Sequence, residues 1–173
     1  MLTELPLELA RWDETARDCL VLPVFRDDRP LRGAAGLADW RLCGKLSRLL
    51  RASRATADAR ETMLLPPGRR LKFQKILWFG LGDAKGYSEA RFRADLAWIV
   101  DVVGKAGVAD WAVQMPGRAS GLIGARRAIE IVLEDRALAE QNLALIEDPA
   151  GQKDIAELLR GHRATTAGGA GRE

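Results

Sequence analysis

Two glycine-rich turns are the places in this sequence where residue type and spacing first suggest chemistry. Gly80-Leu-Gly82 follows one apolar run, and the segment from Gly117 to Gly124 follows another. A strand, a glycine turn and a helix N-terminus can together hold a phosphate, because backbone N–H groups then point at the anion. Neither turn has the full G-x-G-x-x-G spacing, which favours a plain turn into a helix; a nucleotide or ADP-ribose-type ligand is the alternative. The candidate ligand-binding residues are Gly80, Gly82, Lys85, Gly117, Arg118, Gly121 and Gly124.

A basic segment is the second candidate site. From Arg41 to Lys75 the chain has ten Lys or Arg residues against Asp58 and Glu61, a local balance of +8 in a protein of net charge +3. Such a surface predicts contact with nucleic acid or an acidic partner through charge neutralisation, and a solvated helix face explains the same pattern. No ladder of aromatic residues accompanies it, which argues against single-strand recognition by stacking. The four residues that share one face of the predicted helix are Arg41, Lys45, Arg48 and Arg51.

Signatures of the common hydrolases and metalloenzymes do not occur in the sequence. There is no HExxH, G-x-S-x-G, CxxC or Walker motif. The single histidine, His162, lies beside a tail of Gly, Ala and Thr, where we expect it to be solvated. Cys19 and Cys43 suggest neither a disulfide framework nor a zinc knuckle, and we expect both to be buried as small hydrophobic residues. We therefore assign no catalytic residue, no metal ligand and no cofactor.

Length and composition predict one domain. The chain has 173 residues, of which 47% are hydrophobic, enough for a core without disulfides or metals. We expect a domain over residues 1–161 and a disordered tail over residues 162–173, where the composition turns polar and small. No apolar run approaches the ~20 residues that span a bilayer, and the first residues lack the pattern of a signal peptide. The prediction is a cytoplasmic protein without membrane contact.

Apolar runs and helical spacing alternate along the chain. Ile76–Phe79 is an unbroken apolar run, typical of a strand buried on both faces, and we predict it to be the central strand. Its short connection to the strand at 61–65 predicts an antiparallel pair. The pattern predicts an α/β fold: a single three-layer domain with a mixed sheet of about six strands flanked by helices. Further strands are predicted at 5–9, 19–25, 110–115 and 142–147, and helices at 37–52, 89–103, 125–138 and 149–159.

Four stretches, in their order and spacing, resemble the N-terminal domain of the cytosol (leucyl) aminopeptidase family. The resemblance runs from about Leu5 to Leu159 and implies a macro-domain-like fold, in agreement with the predicted elements. The stretches are Asp18–Gly33 (DCLVLPVFRDDRPLRG), Leu37–Leu46 (LADWRLCGKL), Glu61–Leu65 (ETMLL) and Ile76–Gly82 (ILWFGLG).

The resemblance also implies what this chain does not contain. In the family, a C-terminal domain binds two divalent metals and carries out peptide hydrolysis, and no stretch of this sequence matches it. The resemblance thus implies a free-standing N-terminal domain without peptidase activity.

Three roles follow from the resemblance, in decreasing order of expectation. The first is an interaction, regulatory or assembly module that associates with itself as a homo-oligomer or with a full-length aminopeptidase. The partly apolar outer side of the helix carrying Trp98 favours this role. The second is nucleic-acid binding through the basic helix Arg41–Arg51. The third is macro-like binding of an ADP-ribose or nucleotide ligand at the glycine turns.

Overall fold

The computed structural model describes residues 1–169 of the chain and the side chains of residues 1–162, which form six strands and seven helices. The strands are β1 (Leu2–Pro6), β2 (Cys19–Val24), β3 (Thr62–Leu65), β4 (Lys75–Gly80), β5 (Asp110–Val113) and β6 (Asn142–Glu147). The helices are α1 (Leu9–Asp13), α2 (Gly33–Arg41), α3 (Lys45–Arg51), α4 (Glu89–Lys105), α5 (Ala125–Glu134), α6 (Arg136–Ala139) and α7 (Pro149–Gly169).

The six strands form one mixed sheet in the order β1-β6-β5-β2-β4-β3. All neighbours are parallel except β3, which pairs antiparallel with β4, as predicted from the short connection between them. The apolar run at 76–79 is a strand buried on both faces, but it is not central. Strand β4 lies second from the β3 edge, because β2, β5 and β6 all add on its other side.

Helices cover both faces of the sheet, which confirms the three-layer α/β prediction. Alternate residues of each strand enter two separate cores: in β2, Val21 packs on the α4 and α5 side, whereas Leu20 packs on the α2 and α3 side. Strand β4 does the same with Phe79 and Trp78, both without solvent exposure. This burial on both faces explains the continuous apolar runs that the sequence shows.

The predicted helix over 37–52 is two helices. Cys43 and Gly44 adopt left-handed backbone angles, with φ of 55° and 76°, and end α2 before α3 begins. Asp39 stabilises the new start, because its Oδ1 accepts hydrogen bonds from the backbone N–H groups of Leu46, at 2.8 Å, and Ser47, at 3.0 Å. The break also leaves Cys43 exposed, contrary to the expectation that both cysteines are buried.

The chain ends differ from the predictions in extent. Strand β1 begins at Leu2 and ends at Pro6, earlier than the alternation at 5–9 indicates, and Leu9 begins α1. At the other end α7 continues to Gly169, so residues 162–169 of the predicted tail are helical, while residues 170–173 lie outside the described part. The division of the chain at residue 161 stays a prediction. None of the helices in the described part combines the length and the apolar character needed to cross a membrane.

Candidate functional site

Both glycine turns lie at the carboxyl edge of the parallel strands. Gly80–Gly82 closes β4, and the Gly117–Gly124 turn follows β5, with β2 between these two strands. The two loops meet through Tyr87: a β-carbon added to Gly117 would lie 3.0 Å from the Tyr87 ring. Ligands of open α/β sheets bind at this edge, so a site is expected here.

The backbone N–H groups of the first turn are already used. Gly80 N–H donates to the Glu61 carbonyl at 2.8 Å, and Gly82 N–H donates to the Ala57 carbonyl at 2.9 Å. Between them, Leu81 N–H donates to Val24. A β-carbon on Gly80 would stand 2.1 Å from the carbonyl oxygen of Asp58. Gly80 therefore accommodates the 55–61 loop, and this turn has no N–H left to bind a phosphate.

Glu89 places a negative charge at the N-terminus of α4, the helix that follows the first glycine turn. Ser88 caps α4 as predicted, with its Oγ accepting from the Arg91 backbone N–H at 3.3 Å. Glu89 follows in the first turn and binds Arg127 at 2.8 Å and Arg93 at 2.9 Å. Hydrogen bonds from Arg127 and then Arg93 lower the pKa of Glu89 to about 2, so the carboxylate stays charged beside the helix N-terminus. Lys85 is exposed and makes no hydrogen bond or ion pair within the described part.

Arg118, in the second turn, is bound by other groups of the protein. Its Nε and Nη2 donate to the two carboxylate oxygens of Glu147, at 2.7 and 2.9 Å, and Nη1 donates to the Ile123 carbonyl at 2.7 Å. The two side chains are only 12% and 4% exposed. The hydrogen bond to Glu147 raises the pKa of Arg118. Of the three glycines in this turn, Gly117 and Gly121 have positive φ, and Gly124 precedes α5 as its N-cap.

The space between the second glycine turn and the start of α2 is nearly filled. The cavity beside Asp28, Ala34 and Gln114 measures about 20 Å³, room for a single water molecule. Gln114 Oε1 accepts the Ala34 backbone N–H at 2.8 Å and so occupies the start of α2, where an anion would otherwise bind. Sequence reasoning missed Gln114; a lone polar residue at the end of an apolar strand was its only signal.

A buried polar pair lies behind the first turn and was also missed. Asp95 of α4 is 9% exposed, and neither its Oδ2 nor the Tyr87 hydroxyl has a hydrogen-bond partner within the described part. Burial raises the pKa of both groups, and the nearby guanidinium groups of Arg60 and Arg91 oppose the rise for Asp95. The neighbouring Asp95 carboxylate also raises the pKa of Tyr87, so the two side chains form one buried polar pair.

The Trp98 side chain of α4 is partly buried rather than exposed. Its ring packs edge-on against Phe79 at 5.0 Å, and the Arg60 guanidinium lies 4.7 Å from its centroid. The apolar outer side expected for this helix is therefore reduced by contacts inside the chain.

The predicted basic face is divided by the helix break and largely engaged within the chain. Arg41 makes a bidentate ion pair with Asp13, at 2.9 and 3.0 Å. Lys45 Nζ donates to the Pro66 carbonyl at 3.2 Å, and Arg48 donates to the carbonyl of Cys43. The cations of the segment whose side chains make no hydrogen bond or ion pair in the described part are Arg51, Arg54, Arg60, Arg69, Arg70, Lys72 and Lys75, of which Arg60 lies against the Trp98 ring.

Two large apolar side chains are exposed on the α2 helix and on the β3 strand. Trp40 is 72% exposed beside a groove of about 810 Å³ that runs along α2 to the α2–α3 break; we call it the Trp40 groove. Leu64 is 64% exposed on β3, the outer strand of the sheet. Within the described residues, no cluster of three or more His, Cys, Asp or Glu side chains is arranged to hold a metal ion.

Comparison with solved structures agrees with the sheet order and the helical layers. A mutant of tomato leucine aminopeptidase has 13% identity and a TM-score of 0.57, with 90% of this chain and 35% of that chain covered. The macrodomain of Thermus aquaticus DarG has 16% identity and a TM-score of 0.61, covering 86% and 99%. A Trypanosoma brucei macrodomain in complex with ADP has 14% identity and a TM-score of 0.65, covering 91% and 67%. At these identities the likeness shows the fold alone, which is macrodomain-like.

Comparison of the sequence itself is more specific. No curated protein matches it. The model of the N-terminal domain of the cytosol aminopeptidase family matches residues 21–141, more than half of the chain. The chain spans about a third of the length of the tomato enzyme. The chain therefore belongs to the cytosol aminopeptidase family, as a copy of its N-terminal, macrodomain-like domain.

Proposed function

We propose that this domain is a non-catalytic assembly module that associates with a second copy of itself through the open edge of β3. The observation that carries the proposal is the register of that edge. Gly80 N–H donates to the Glu61 carbonyl, so the alternation of an antiparallel ladder turns the backbone groups of Met63 and Leu65 toward β4. The N–H and C=O groups of Thr62 and Leu64 then point away from the sheet.

This edge is complementary to itself. If two copies pair antiparallel about a two-fold axis at Met63, Thr62 of each copy lies opposite Leu64 of the other. In each of these pairs, both residues have backbone N–H and C=O groups that point outward, so the two residues can hydrogen-bond to each other. Because both copies use the same residues, the contact is isologous. The side chains directly opposite carry no like charges: Met63 meets Met63, Glu61 meets Leu65, and Arg60 meets Pro66.

The carboxyl edge of the sheet supports a role without catalysis. Its N–H groups at Gly80–Gly82, its cation Arg118 and its crevice near Gln114 are all occupied by the protein's own groups. A longer aminopeptidase is the other partner that family membership suggests, because such a chain would carry the same β3 edge.

Sedimentation equilibrium of the purified chain tests the proposal. We expect a concentration-dependent dimer, and Leu64→Lys should shift it to a monomer, since a charged residue on an edge strand opposes pairing. The control is Leu122→Lys, which adds the same charge at an apolar side chain 42% exposed in the second glycine turn. A monomer at every concentration, or a dimer that Leu64→Lys leaves intact, would refute assembly through β3. An aminopeptidase assay with Mn²⁺ or Zn²⁺ should show no turnover.

Nucleic-acid binding is the second candidate, because the side chains of seven cations of the basic segment make no hydrogen bond or ion pair in the described part. Fluorescence anisotropy with duplex DNA at low and high salt separates it from the first. Binding that weakens steeply with salt would favour this role, and binding absent at low salt would remove it.

A further inference from the structure

The Trp40 groove has the composition of a protein-binding hot spot. Three of the five tryptophans, Trp12, Trp78 and Trp111, are at most 1% exposed, whereas Trp40 is 72% exposed. It projects from α2 on the side opposite Ala34 and Ala38, which pack against the sheet. Tryptophan and arginine are the residue types that contribute most to binding energy at interfaces.

The shape of the groove comes from the break between α2 and α3. Cys43 and Gly44 leave the helical path there, and the chain before α2 forms the other wall with Leu31. A β-carbon on Gly36 would lie 2.7 Å from the Leu31 carbonyl oxygen, so glycine at this position sets how closely that wall approaches α2. The result is an open volume of about 810 Å³, the size of a site for a short peptide segment.

Within the described part of the chain the groove carries one unpaired cation, since Arg41 is paired with Asp13. Arg70 lines the groove, is exposed and makes no side-chain hydrogen bond or ion pair in the described part. Arg41 lies beside it, with its Nη1 3.4 Å from the Arg70 carbonyl oxygen. Among the described residues that line the groove, Asp39 is the one carboxylate, and it is bound to the start of α3 by backbone N–H groups and the Ser47 hydroxyl, so it offers little repulsion to an anion. The groove therefore joins an aromatic surface to a free guanidinium.

We infer that the Trp40 groove binds a segment of a protein partner that carries acidic residues next to one large apolar side chain. The apolar side chain lies against Trp40 and Leu31, and a carboxylate pairs with Arg70. A protein segment fits better than nucleic acid, because a single exposed aromatic residue and a single free cation line the groove, with no extended basic track. This inference is independent of assembly through β3, since Leu64 lies outside the groove.

A library of random short peptides displayed on phage and selected on the folded chain tests this inference. We expect the selected peptides to be enriched in Asp and Glu beside one Trp, Phe or Leu. By fluorescence anisotropy, Trp40→Ala and Arg70→Glu should each weaken their binding on the order of tenfold or more. Arg69→Glu is the matched control: it makes the same charge change one residue away at an exposed side chain that does not line the groove, and should keep most of the affinity.

Cys43 provides a second measurement on the unaltered protein. It lines the groove and is exposed, whereas Cys19 is buried, so bound peptide should slow alkylation of Cys43 selectively. A selection that yields no binders, binders without acidic enrichment, or equal losses for Arg69→Glu and Arg70→Glu would overturn the inference. So would an oligothymidylate that displaces the peptides and itself depends on Trp40, because the groove would then be a nucleic-acid site.

Discussion

Replacing Arg118 by alanine should destabilise the domain by about 3 kcal/mol. The change removes two charge-assisted hydrogen bonds to Glu147 and leaves that carboxylate, 4% exposed, without its partner. Removing one member of a buried ion pair typically costs about 3–5 kcal/mol, mostly because the remaining charge is buried and unpaired. We choose the lower end because the Arg118 side chain keeps some contact with solvent.

Urea unfolding followed by circular dichroism measures this loss by linear extrapolation. Two controls accompany it. Arg136→Ala removes an ion pair to Glu140 whose arginine is 91% exposed and should leave stability unchanged within error. The double variant Arg118→Met with Glu147→Leu removes both charges and should recover stability to within about 1 kcal/mol of the parent.

A small loss of stability would contradict this expectation. If Arg118→Ala costs less than about 1 kcal/mol, Glu147 finds water or another partner, and the ion pair does not hold the second glycine turn. Arg118 would then be free to act as the ligand-binding residue that the sequence suggested.

Three further predictions concern the carboxyl edge of the sheet. Gly80→Ala should lower the free energy of unfolding by about 3 kcal/mol, because the added β-carbon would lie 2.1 Å from the Asp58 backbone oxygen. The control is Gly104→Ala in α4, where an added β-carbon has no atom within 4 Å; it should raise the free energy of unfolding by about 0.5–1 kcal/mol in the same urea assay. Asp95→Asn should stabilise the domain by about 1 kcal/mol at neutral pH. Since the pKa of Asp95 is raised, the folded state holds its proton to higher pH than the unfolded state, so the gain should shrink as pH falls and Asp95 becomes protonated; a gain that is constant with pH would contradict this. Isothermal titration with ADP-ribose or ADP should give no binding heat, and a measurable affinity would show that the 20 Å³ crevice opens.

Features that depend on a few neighbouring residues could be predicted from the sequence. The runs that became β2 and β4 and the cap at Ser88 were all visible, because burial on both faces and helix capping leave a signature within a few residues. The left-handed backbone at Cys43 has no such sequence signature. Glycine at position 44 is compatible with the interior or the end of a helix, and cysteine rarely takes a positive φ.

What the sequence could not predict depends on partners far along the chain. Arg118, a predicted ligand contact, binds Glu147, 29 residues away in sequence, and its role toward a ligand stays a prediction. Trp12 and Trp40 look alike in sequence, yet one is fully buried and the other 72% exposed, because only the packing of α1 and α2 on the sheet distinguishes them.

The pairing of β1 with β6 has a consequence for how the domain folds. Leu2 lies opposite Leu143, so the first strand of the chain has no partner until the last strand exists. During synthesis, β1 must wait unpaired while nearly the whole domain emerges, and loop closure over that distance precedes any gain from the contact. A nascent chain halted before residue 142 would expose β1 and one side of β5 together, which makes late folding the stage at which this domain is most open to aggregation or to chaperones.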